Sequence, residues 1–266
     1  MMSLKGRCAV VTGGASGIGR AVAVMMKQHG ANVVVGDVNQ PLKEDGFEYV
    51  KCDVTKLEHM QGLLDHAKSR FGAVSVWVNN AGIEVESSNK PLVIDPLSPE
   101  IVEALSRIVN INLLSVIVGT RLAVKHMQEE GTEGTVINVA SMSAYLPIPV
   151  APVYAATKAG VNQYVRSVGE FLTDKSPIRV HAVCPSFVAT PLVTHNPKIV
   201  QWIEHTTGEK LISPEDIATS ICTMATATHA EMPNGSSVKI YLRKGELVSK
   251  VYDFPVGFGG KPKPKL

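Results

Sequence analysis

A tyrosine and a lysine, Tyr154 and Lys158, stand four residues apart at the end of the stretch S-M-S-A-Y-L-P-I-P-V-A-P-V-Y-A-A-T-K, which begins at Ser141. On a helix, side chains at this spacing lie on one face, so the ammonium would lie beside the phenol. A phenol has an ordinary pKa of about 10, and a neighbouring ammonium favours its deprotonated form. Tyr154 would then exchange a proton with a substrate hydroxyl, which Ser141, on the loop after an apolar strand, would hydrogen-bond. Taken alone, a tyrosine and a lysine at this spacing more often form an ordinary exposed pair, so the surrounding elements must decide.

A glycine-rich turn follows the first apolar run of the chain. Cys8 to Val11 precedes T-G-G-A-S-G-I-G, and a helical pattern then continues to Gly30, which predicts a strand, a turn and a helix. Glycines let the backbone approach a pyrophosphate, whose charge is favoured by free N–H groups at the helix start. Taken alone, the motif also fits a plain glycine turn. The predicted cofactor contacts here are Gly13, Ser16, Gly17, Ile18 and Gly19.

Asp37 ends the second predicted strand, which begins at Asn32. Dinucleotide folds present a carboxylate at this point to the adenosine ribose, where it accepts hydrogen bonds from both hydroxyls and repels a 2′-phosphate. No Lys or Arg lies among the glycines of the turn or directly after Asp37. The sequence therefore predicts NAD rather than NADP. The alternative is that Asp37 only opens a turn with Asn39 and Pro41.

Apolar runs alternate with helical patterns along the rest of the chain, which predicts a parallel sheet covered on both faces. Ligands of such sheets bind beyond the carboxyl ends of the strands, where Asp53, Val54 and Asn80 follow the third and fourth runs. The predicted fold class is α/β: a single-domain Rossmann fold with a doubly wound, mostly parallel, seven-stranded sheet and helices on both faces. The predicted strands are 8–11, 32–35, 47–52, 74–78, 135–139, 178–184 and 238–242.

Two predicted segments lie beside the site. A long helix over 99–128 carries Asn112 in a pattern that is apolar on almost every side, and a buried amide needs partners. Asn112 is either a satisfied structural group or holds a water beside Lys158. Residues 191–212 follow a strand end with weak periodicity, which predicts a mobile cover over the substrate.

Composition excludes several classes of function. The chain has 266 residues, 45% of them hydrophobic, and a net charge of +2, so it can bury a core and shows no nucleic-acid surface. Four scattered cysteines without a C-x-x-C or a close His/Asp cluster predict reduced core thiols and no metal. We expect one domain over 1–250 and a flexible basic tail over 251–266.

Neither a signal peptide nor a run of about 18 apolar residues is present, which predicts a cytoplasmic protein that does not enter membranes. The terminal Lys-Leu resembles a peroxisomal address, although Pro264 breaks the usual tripeptide.

Nearly the whole chain to about residue 245 resembles the short-chain dehydrogenase/reductase family. T-G-G-A-S-G-I-G matches the family's cofactor turn, Asp53-Val54 its adenine contact, and N-N-A-G at 79–82 its motif after the fourth strand. The resemblance implies that Tyr154 takes the hydroxyl proton while Lys158 binds the nicotinamide ribose and lowers the Tyr154 pKa. The implied catalytic tetrad is Asn112, Ser141, Tyr154 and Lys158, with Ser141 holding the substrate oxygen, Asn112 positioning a relay water, and Val188 and Thr190 near the carboxamide.

The resemblance implies hydride transfer between NAD and a secondary alcohol or ketone. The apolar loop L-P-I-P-V-A-P-V before Tyr154 predicts a lipid-like or otherwise apolar substrate, with Ser141, Ala151 and Tyr154 as its contacts. Ala151 stands where one family member that oxidises a lipid hydroxyl has a glutamine. Ser186 stands where the family usually has glycine.

Two other functions remain open: a cofactor-binding sensor or scaffold without turnover, and a ketone reductase acting on steroid-like substrates. We also expect a homo-oligomer, a dimer or tetramer, built through the helices over 100–128 and 153–173. The first of these is apolar nearly all round, and such a helix is usually buried on both sides.

Overall fold

Eight strands form one sheet in the computed structural model, which describes residues 3–42, 45–84, 98–172, 176–195 and 197–252. The strands are β1 (Cys8–Thr12), β2 (Asn32–Asp37), β3 (Glu48–Lys51), β4 (Val74–Asn79), β5 (Gly134–Val139), β6 (Ile178–Pro185), β7 (Ser237–Arg243) and β8 (Glu246–Val251). Their order across the sheet is β3-β2-β1-β4-β5-β6-β7-β8. All neighbouring pairs are parallel except β7 and β8.

Helices cover both faces of the sheet, as the predicted doubly wound fold requires. They are α1 (Gly17–Gln28), α2 (Leu57–Phe71), α3 (Pro99–Val109), α4 (Ser115–Glu129), α5 (Pro152–Leu172), α6 (Pro191–Thr194), α7 (Pro197–Thr207) and α8 (Pro214–Thr226). Buried side chains of α1 and α8 form one apolar core with the sheet, and those of α2, α4 and α5 form the other. Successive strand residues alternate between the two cores; Ala9 lies in the first and Val10 in the second. All four cysteines are buried and unpaired, as predicted.

The sheet has one strand more than the predicted seven. After β7 the chain turns at Lys244 and Gly245 and returns antiparallel as β8, with Arg243 opposite Glu246. Both turn residues have positive φ, 54° and 79°, as a two-residue hairpin of this kind requires. Lysine rarely adopts this conformation, so the sequence signal for the hairpin was weak. Val251, assigned to the tail by the sequence, belongs to β8, and 253–266 lie outside the described residues.

The predicted continuous helix over 99–128 changes its winding at Asn112. Five residues in a π-helical turn, Asn110–Leu114, join α3 directly to α4. Asn112 is fully buried, and its amide both accepts from the N–H of Ile83 and donates to the carbonyl of Ile83, each at 2.8 Å. Its side chain is therefore a satisfied structural group that ties the helix to the chain just after β4. Wider turns of this kind are frequent at functional sites.

Among the described residues, one helix, Pro99–Glu129, is long and apolar enough to cross a membrane by length and composition alone. In the structure its α4 part packs on β4 and β5 and contacts α2 and α5. It buries Thr120 and His126 there, and the His126 ring accepts the N–H of Val74 at 3.0 Å. This is the packing of a core helix. Val109 and Leu114 on the same helix stay exposed, 39% and 50%, and belong to the surface that the predicted oligomer would bury.

Candidate active site

The predicted site residues meet at one edge of the sheet. β1, β2, β4, β5 and β6 all run parallel, so the segments after their carboxyl ends lie side by side. The order β3-β2-β1-β4 reverses direction between β1 and β4. A crevice at such a switch point is where open α/β sheets bind their ligands.

The glycine turn after β1 can pack closely on itself and on the chain after β4 because two of its residues lack a side chain. Gly13 has a φ of +66°, and a Cβ placed there would lie 2.7 Å from the Cα of Ala81. A Cβ on Gly19 would lie 2.2 Å from the carbonyl oxygen of Gly13. Within the described chain, the Ser16 side chain makes no capping hydrogen bond to α1, which leaves the first N–H groups of that helix available to an anion. The turn therefore fits a dinucleotide pyrophosphate.

Asp37 closes this turn against the end of β2. Its carboxylate accepts the N–H of Ala15 at 3.0 Å and the N–H of Asn39 at 2.9 Å. The bond from Asn39 confirms that Asp37 opens the turn that follows, and its contact with a ribose stays a prediction. The basic residue next to the glycines, Arg20, makes a bidentate ion pair with Asp45, at 2.8 and 2.7 Å. A ribose hydroxyl that reaches Asp37 would meet a carboxylate.

Three further predicted cofactor contacts border the turn. The Asn80 amide donates to the carbonyls of Thr12 and Gly13, at 3.1 and 2.9 Å, and so ties β4 to the glycine turn. Thr190 packs on the other side, since a Cβ on Gly17 would lie 3.2 Å from the Thr190 side chain. The remaining predicted contacts lie close by: Ile18 packs against the core on α1, Val188 is buried and forms a bridge with Ile212, and Val54 is buried beside Asp53.

Asp53 stays ionised at the end of the loop after β3. Its carboxylate accepts the hydroxyl of Thr55 at 2.7 Å and the N–H of Thr55 at 2.9 Å. The hydroxyl bond is the main cause that lowers the pKa of Asp53.

The structure brings the whole predicted tetrad together. Helix α5 presents Tyr154 and Lys158 on one face, with the ammonium 5.6 Å from the centre of the phenol ring. The Lys158 ammonium donates to the carbonyl of Val139, the last residue of β5, at 2.8 Å. Ser141 follows on the next loop and hydrogen-bonds the Tyr154 side chain. Asn112 completes the group: its amide oxygen and the Lys158 ammonium lie 3.4 and 3.6 Å from the Cβ position of Gly82.

Burial has the largest effect on the pKa values of both members of the Tyr154 and Lys158 pair. Burial raises the pKa of Tyr154 to about 12, and the hydrogen bond with Ser141 acts in the opposite direction and lowers it. Burial also lowers the pKa of Lys158 to about 8. Loss of water around the ring is therefore the largest cause acting on the phenol pKa in this structure, and the lowering of that pKa by Lys158 stays a prediction. At neutral pH, Tyr154 is a phenol and Lys158 is mostly an ammonium.

Comparison with known proteins decides the family. Residues 7–199 match the family described as short chain dehydrogenase. The chain belongs to that family. It is therefore an oxidoreductase of the kind that binds a nicotinamide cofactor and acts on hydroxyl or ketone groups.

Individual relatives of this dehydrogenase act on different alcohols. A 3beta-hydroxysteroid dehydrogenase 1 from Eggerthella lenta is 33% identical over 84% of this chain and 87% of the relative. The NAD(+)-dependent 15-hydroxyprostaglandin dehydrogenase of Rattus norvegicus is 29% identical over 98% of this chain and all of that enzyme. Among solved structures, a 3-ketoacyl-(acyl-carrier-protein) reductase from Brucella melitensis complexed with NADH matches with a TM-score of 0.76 and 31% identity, covering 89% of this chain and 97% of the reductase.

The match to a prostaglandin dehydrogenase agrees with the likeness to a family member that oxidises a lipid hydroxyl, and two departures from the expected pattern have a structural place. Ala151, where that enzyme has glutamine, is buried immediately before α5 and three residues from Tyr154. Ser186, where the family has glycine, donates its N–H to the carbonyl of Ile240 at 2.7 Å. Among the described residues, Lys244 is the only non-glycine with positive φ, so the backbone at Ser186 does not require glycine.

The sequence did not predict that Cys184 and Tyr145 contact the serine loop. The backbone N–H of Ser141 donates to the buried thiol of Cys184 at the end of β6. The hydroxyl of Tyr145 lies 3.8 Å from the same sulfur. The only sequence signal for this arrangement is an aromatic residue shortly after the serine, a weak one because the contact to β6 is made in the folded chain alone.

Proposed function

We propose that this dehydrogenase oxidises a mostly apolar secondary alcohol with NAD. The observation that carries the proposal is the juxtaposition of Tyr154 with Lys158 and with Ser141, beside a glycine turn that fits a dinucleotide. A sensor or scaffold has no need of a phenol, an ammonium and a serine hydroxyl at one point.

The proton chemistry follows from this geometry. The Ser141 hydroxyl would bind the oxygen of the substrate hydroxyl while Tyr154 accepts the proton of that hydroxyl. Burial holds the Tyr154 pKa at about 12, so oxidation near neutral pH depends on every group that stabilises the phenolate. Ser141 is one such group, and the ammonium of Lys158, fixed by Val139, is another. The bound dinucleotide supplies the acceptor for the hydride from the alcohol carbon.

The choice of NAD over NADP rests on Asp37. Its carboxylate accepts the N–H of Ala15 in the glycine turn, and Arg20, the cation that directly follows the glycines, is paired with Asp45. A 2′-phosphate would be repelled there, whereas two ribose hydroxyls would be bound. The prostaglandin relative, which is named for its use of NAD, agrees with this choice.

An apolar substrate is favoured by exposed apolar side chains in the loop before Tyr154 and in the predicted cover. Leu146 and Val150, in the loop between Ser141 and α5, are exposed by 54% and 48%. Leu192 on α6 and Trp202 on α7, in the predicted cover, are exposed by 38% and 56%. Such side chains gain from burial against an apolar substrate. The named substrates of the steroid and prostaglandin relatives are of this character.

A second candidate is reduction of a steroid-like ketone in the opposite direction. The observation that favours it is the protonated state of Tyr154, because a phenol of pKa about 12 is already in the form that donates a proton to a ketone oxygen at neutral pH.

A panel of alcohols and ketones tests both candidates. We would follow absorbance of the reduced cofactor with a 3β-hydroxysteroid, a 15-hydroxyprostaglandin, a polyol and the matching ketones, each with NAD and with NADP. We expect a higher kcat/KM for the apolar alcohols than for the polyol, and for NAD than for NADP. Tyr154→Phe, which keeps the ring and loses the hydroxyl, should lower kcat by roughly 10²- to 10⁴-fold. Full activity of Tyr154→Phe, or preference for the polyol, would contradict the proposal.

Ala151→Gln tests the substrate more finely. Because Ala151 lacks an amide, a hydrogen bond to a prostaglandin hydroxyl is missing; such a bond contributes about 0.5–1.5 kcal/mol, roughly three- to tenfold in rate. We expect Ala151→Gln to raise kcat/KM for the 15-hydroxyprostaglandin by that factor. Efficient turnover by the wild type with no gain in the variant would show that the amide is not limiting.

A further inference from the structure

The C-terminal hairpin reaches back to the loop that carries Ser141. We infer that Tyr145, Lys239 and Tyr252 form a clamp through which β7 and β8 hold this loop in place for the reaction proposed above. The three are positioning residues, since none of them belongs to the tetrad. The inference rests on the proposed function for its catalytic consequence, but not for its structural one.

The clamp is a compact group of two rings and one cation. The Lys239 ammonium lies 3.9 Å from the centre of the Tyr145 ring and 3.8 Å from the centre of the Tyr252 ring. The two ring centres are 4.5 Å apart, and the rings are tilted by 47°. The ammonium therefore sits in the open angle between two aromatic faces, where each face attracts it.

No carboxylate competes for this ammonium among the described residues. Lys239 forms neither an ion pair nor a side-chain hydrogen bond in that part of the chain. Lys250 lies directly opposite on β8 and repels it. The aromatic faces are thus the groups that hold Lys239 where it lies.

One side of the clamp is anchored at the active site. Lys239 on β7 is the register partner of Cys184 on β6, so their side chains leave the same face of the sheet. The Tyr145 hydroxyl contacts the Cys184 thiol at 3.8 Å and hydrogen-bonds Asn162 of α5. The same thiol accepts the backbone N–H of Ser141. Tyr145 and Cys184 thereby connect the cation to the serine loop.

The other side is anchored at the end of β8. The backbone N–H of Tyr252 donates to the carbonyl of Ser237 at 2.7 Å, next to the last pair of the ladder, Val238 and Val251. The Ser237 hydroxyl in turn bonds Asn162, the residue that contacts Tyr145. The ring of Tyr252, directly after β8, is therefore held against Tyr145 of the serine loop.

Loss of the clamp has a specific chemical consequence. The hydrogen bond from Ser141 opposes the effect of burial on the Tyr154 pKa. A loop that moves more freely makes this bond for less of the time, so the Tyr154 pKa rises. Oxidation needs the phenolate, so the rise of its rate with pH then moves to higher pH. A general loss of stability does not produce this shift.

Two pairs of variants separate the clamp from simple destabilisation. Tyr252→Ala removes one aromatic face, and Tyr252→Phe keeps it; Lys239→Met removes the charge at similar length, and Lys239→Arg keeps it. We would measure amide hydrogen exchange over 141–151 and, as an internal control, over 12–19. We would also measure the pH profile of kcat/KM with the best alcohol from the panel above.

We expect Tyr252→Ala and Lys239→Met to speed exchange over 141–151 but not over 12–19. They should lower kcat/KM at pH 7 by about three- to tenfold, with the alkaline limb displaced upward, while Tyr252→Phe and Lys239→Arg behave like the wild type. Unchanged exchange over 141–151, or equal acceleration in both segments, would overturn the clamp. Failure of the wild type to turn over any alcohol or ketone would instead overturn the proposed function, and the exchange result would still decide the clamp.

Discussion

Replacing Lys158 by methionine changes how the stability of this dehydrogenase depends on pH. Lys158 is 4% exposed, and burial lowers the pKa of its ammonium from 10.5 to about 8. In the unfolded chain the ammonium returns to water and to its ordinary pKa. Methionine has a similar length and no charge, so the variant removes the titrating group and keeps most of the packing.

The sign and size of the effect follow from this difference. Between pH 8 and 10.5 the unfolded wild type binds more protons than the folded one, so its stability rises with pH. The penalty for a buried ammonium is fully present below pH 8 and is lost as pH approaches 10.5. A difference of 2.5 pKa units corresponds to about 3 kcal/mol. The variant also loses the hydrogen bond to Val139. This loss lowers its free energy of unfolding by about the same amount at every pH, so the slope against pH is unchanged.

Urea unfolding followed by far-UV circular dichroism at several pH values between 7 and 10.5 measures this slope. Protein concentration must be held constant because an oligomer gains stability with concentration. We expect the wild type to gain about 3 kcal/mol over Lys158→Met across the window. Lys125→Met is the matched control: its ammonium is 70% exposed, and its difference from the wild type should stay within about 0.5 kcal/mol. A pH-independent difference between Lys158→Met and the wild type would refute the reasoning.

Three other outcomes are expected. Asp37→Ala should lower kcat/KM with NAD and relatively improve it with NADP, and a wild type that already prefers NADP would contradict the role of Asp37. Ser141→Ala should raise the Tyr154 pKa, so the pH profile of oxidation should move to higher pH, and an unmoved profile would exclude that hydrogen bond as its cause. The wild type should sediment as a multiple of 28.5 kDa. Leu114→Arg, on the exposed apolar face, should sediment closer to the monomer. A monomeric wild type at micromolar concentration would count against the oligomer.

Local patterns made most of the fold predictable. The glycine turn between β1 and α1 follows from glycines that no other residue can replace, as the close approaches at Gly13 and Gly19 show. Strand ends and the spacing of Tyr154 and Lys158 are likewise read from a few neighbouring residues. Parallel strands then bring distant segments to one edge, whereas the membership of the tetrad was implied by the resemblance to the family.

Features that depend on tertiary contacts were not predictable. The π-helical turn at Asn112 exists because its amide bonds the backbone of Ile83, almost thirty residues earlier in the chain. The hairpin before β8 uses Lys244 at a position that usually takes glycine or asparagine, which hid the eighth strand. The pKa of Tyr154 depends on how much water the folded chain removes from the ring, a quantity that spacing does not contain.

Because of the hairpin, β8 and not β7 is the edge strand at this side of the sheet. With β8 laid on β7, the outermost strands of the described chain are β3 and β8. Both carry charged side chains, and β3 is also short: β3 carries Glu48 and Lys51, and β8 carries Glu246 and Lys250. Unpaired backbone groups on a long apolar margin recruit strands from other chains, whereas short charged margins discourage that assembly. This dehydrogenase should therefore resist strand-to-strand aggregation, and its copies should associate through helices instead.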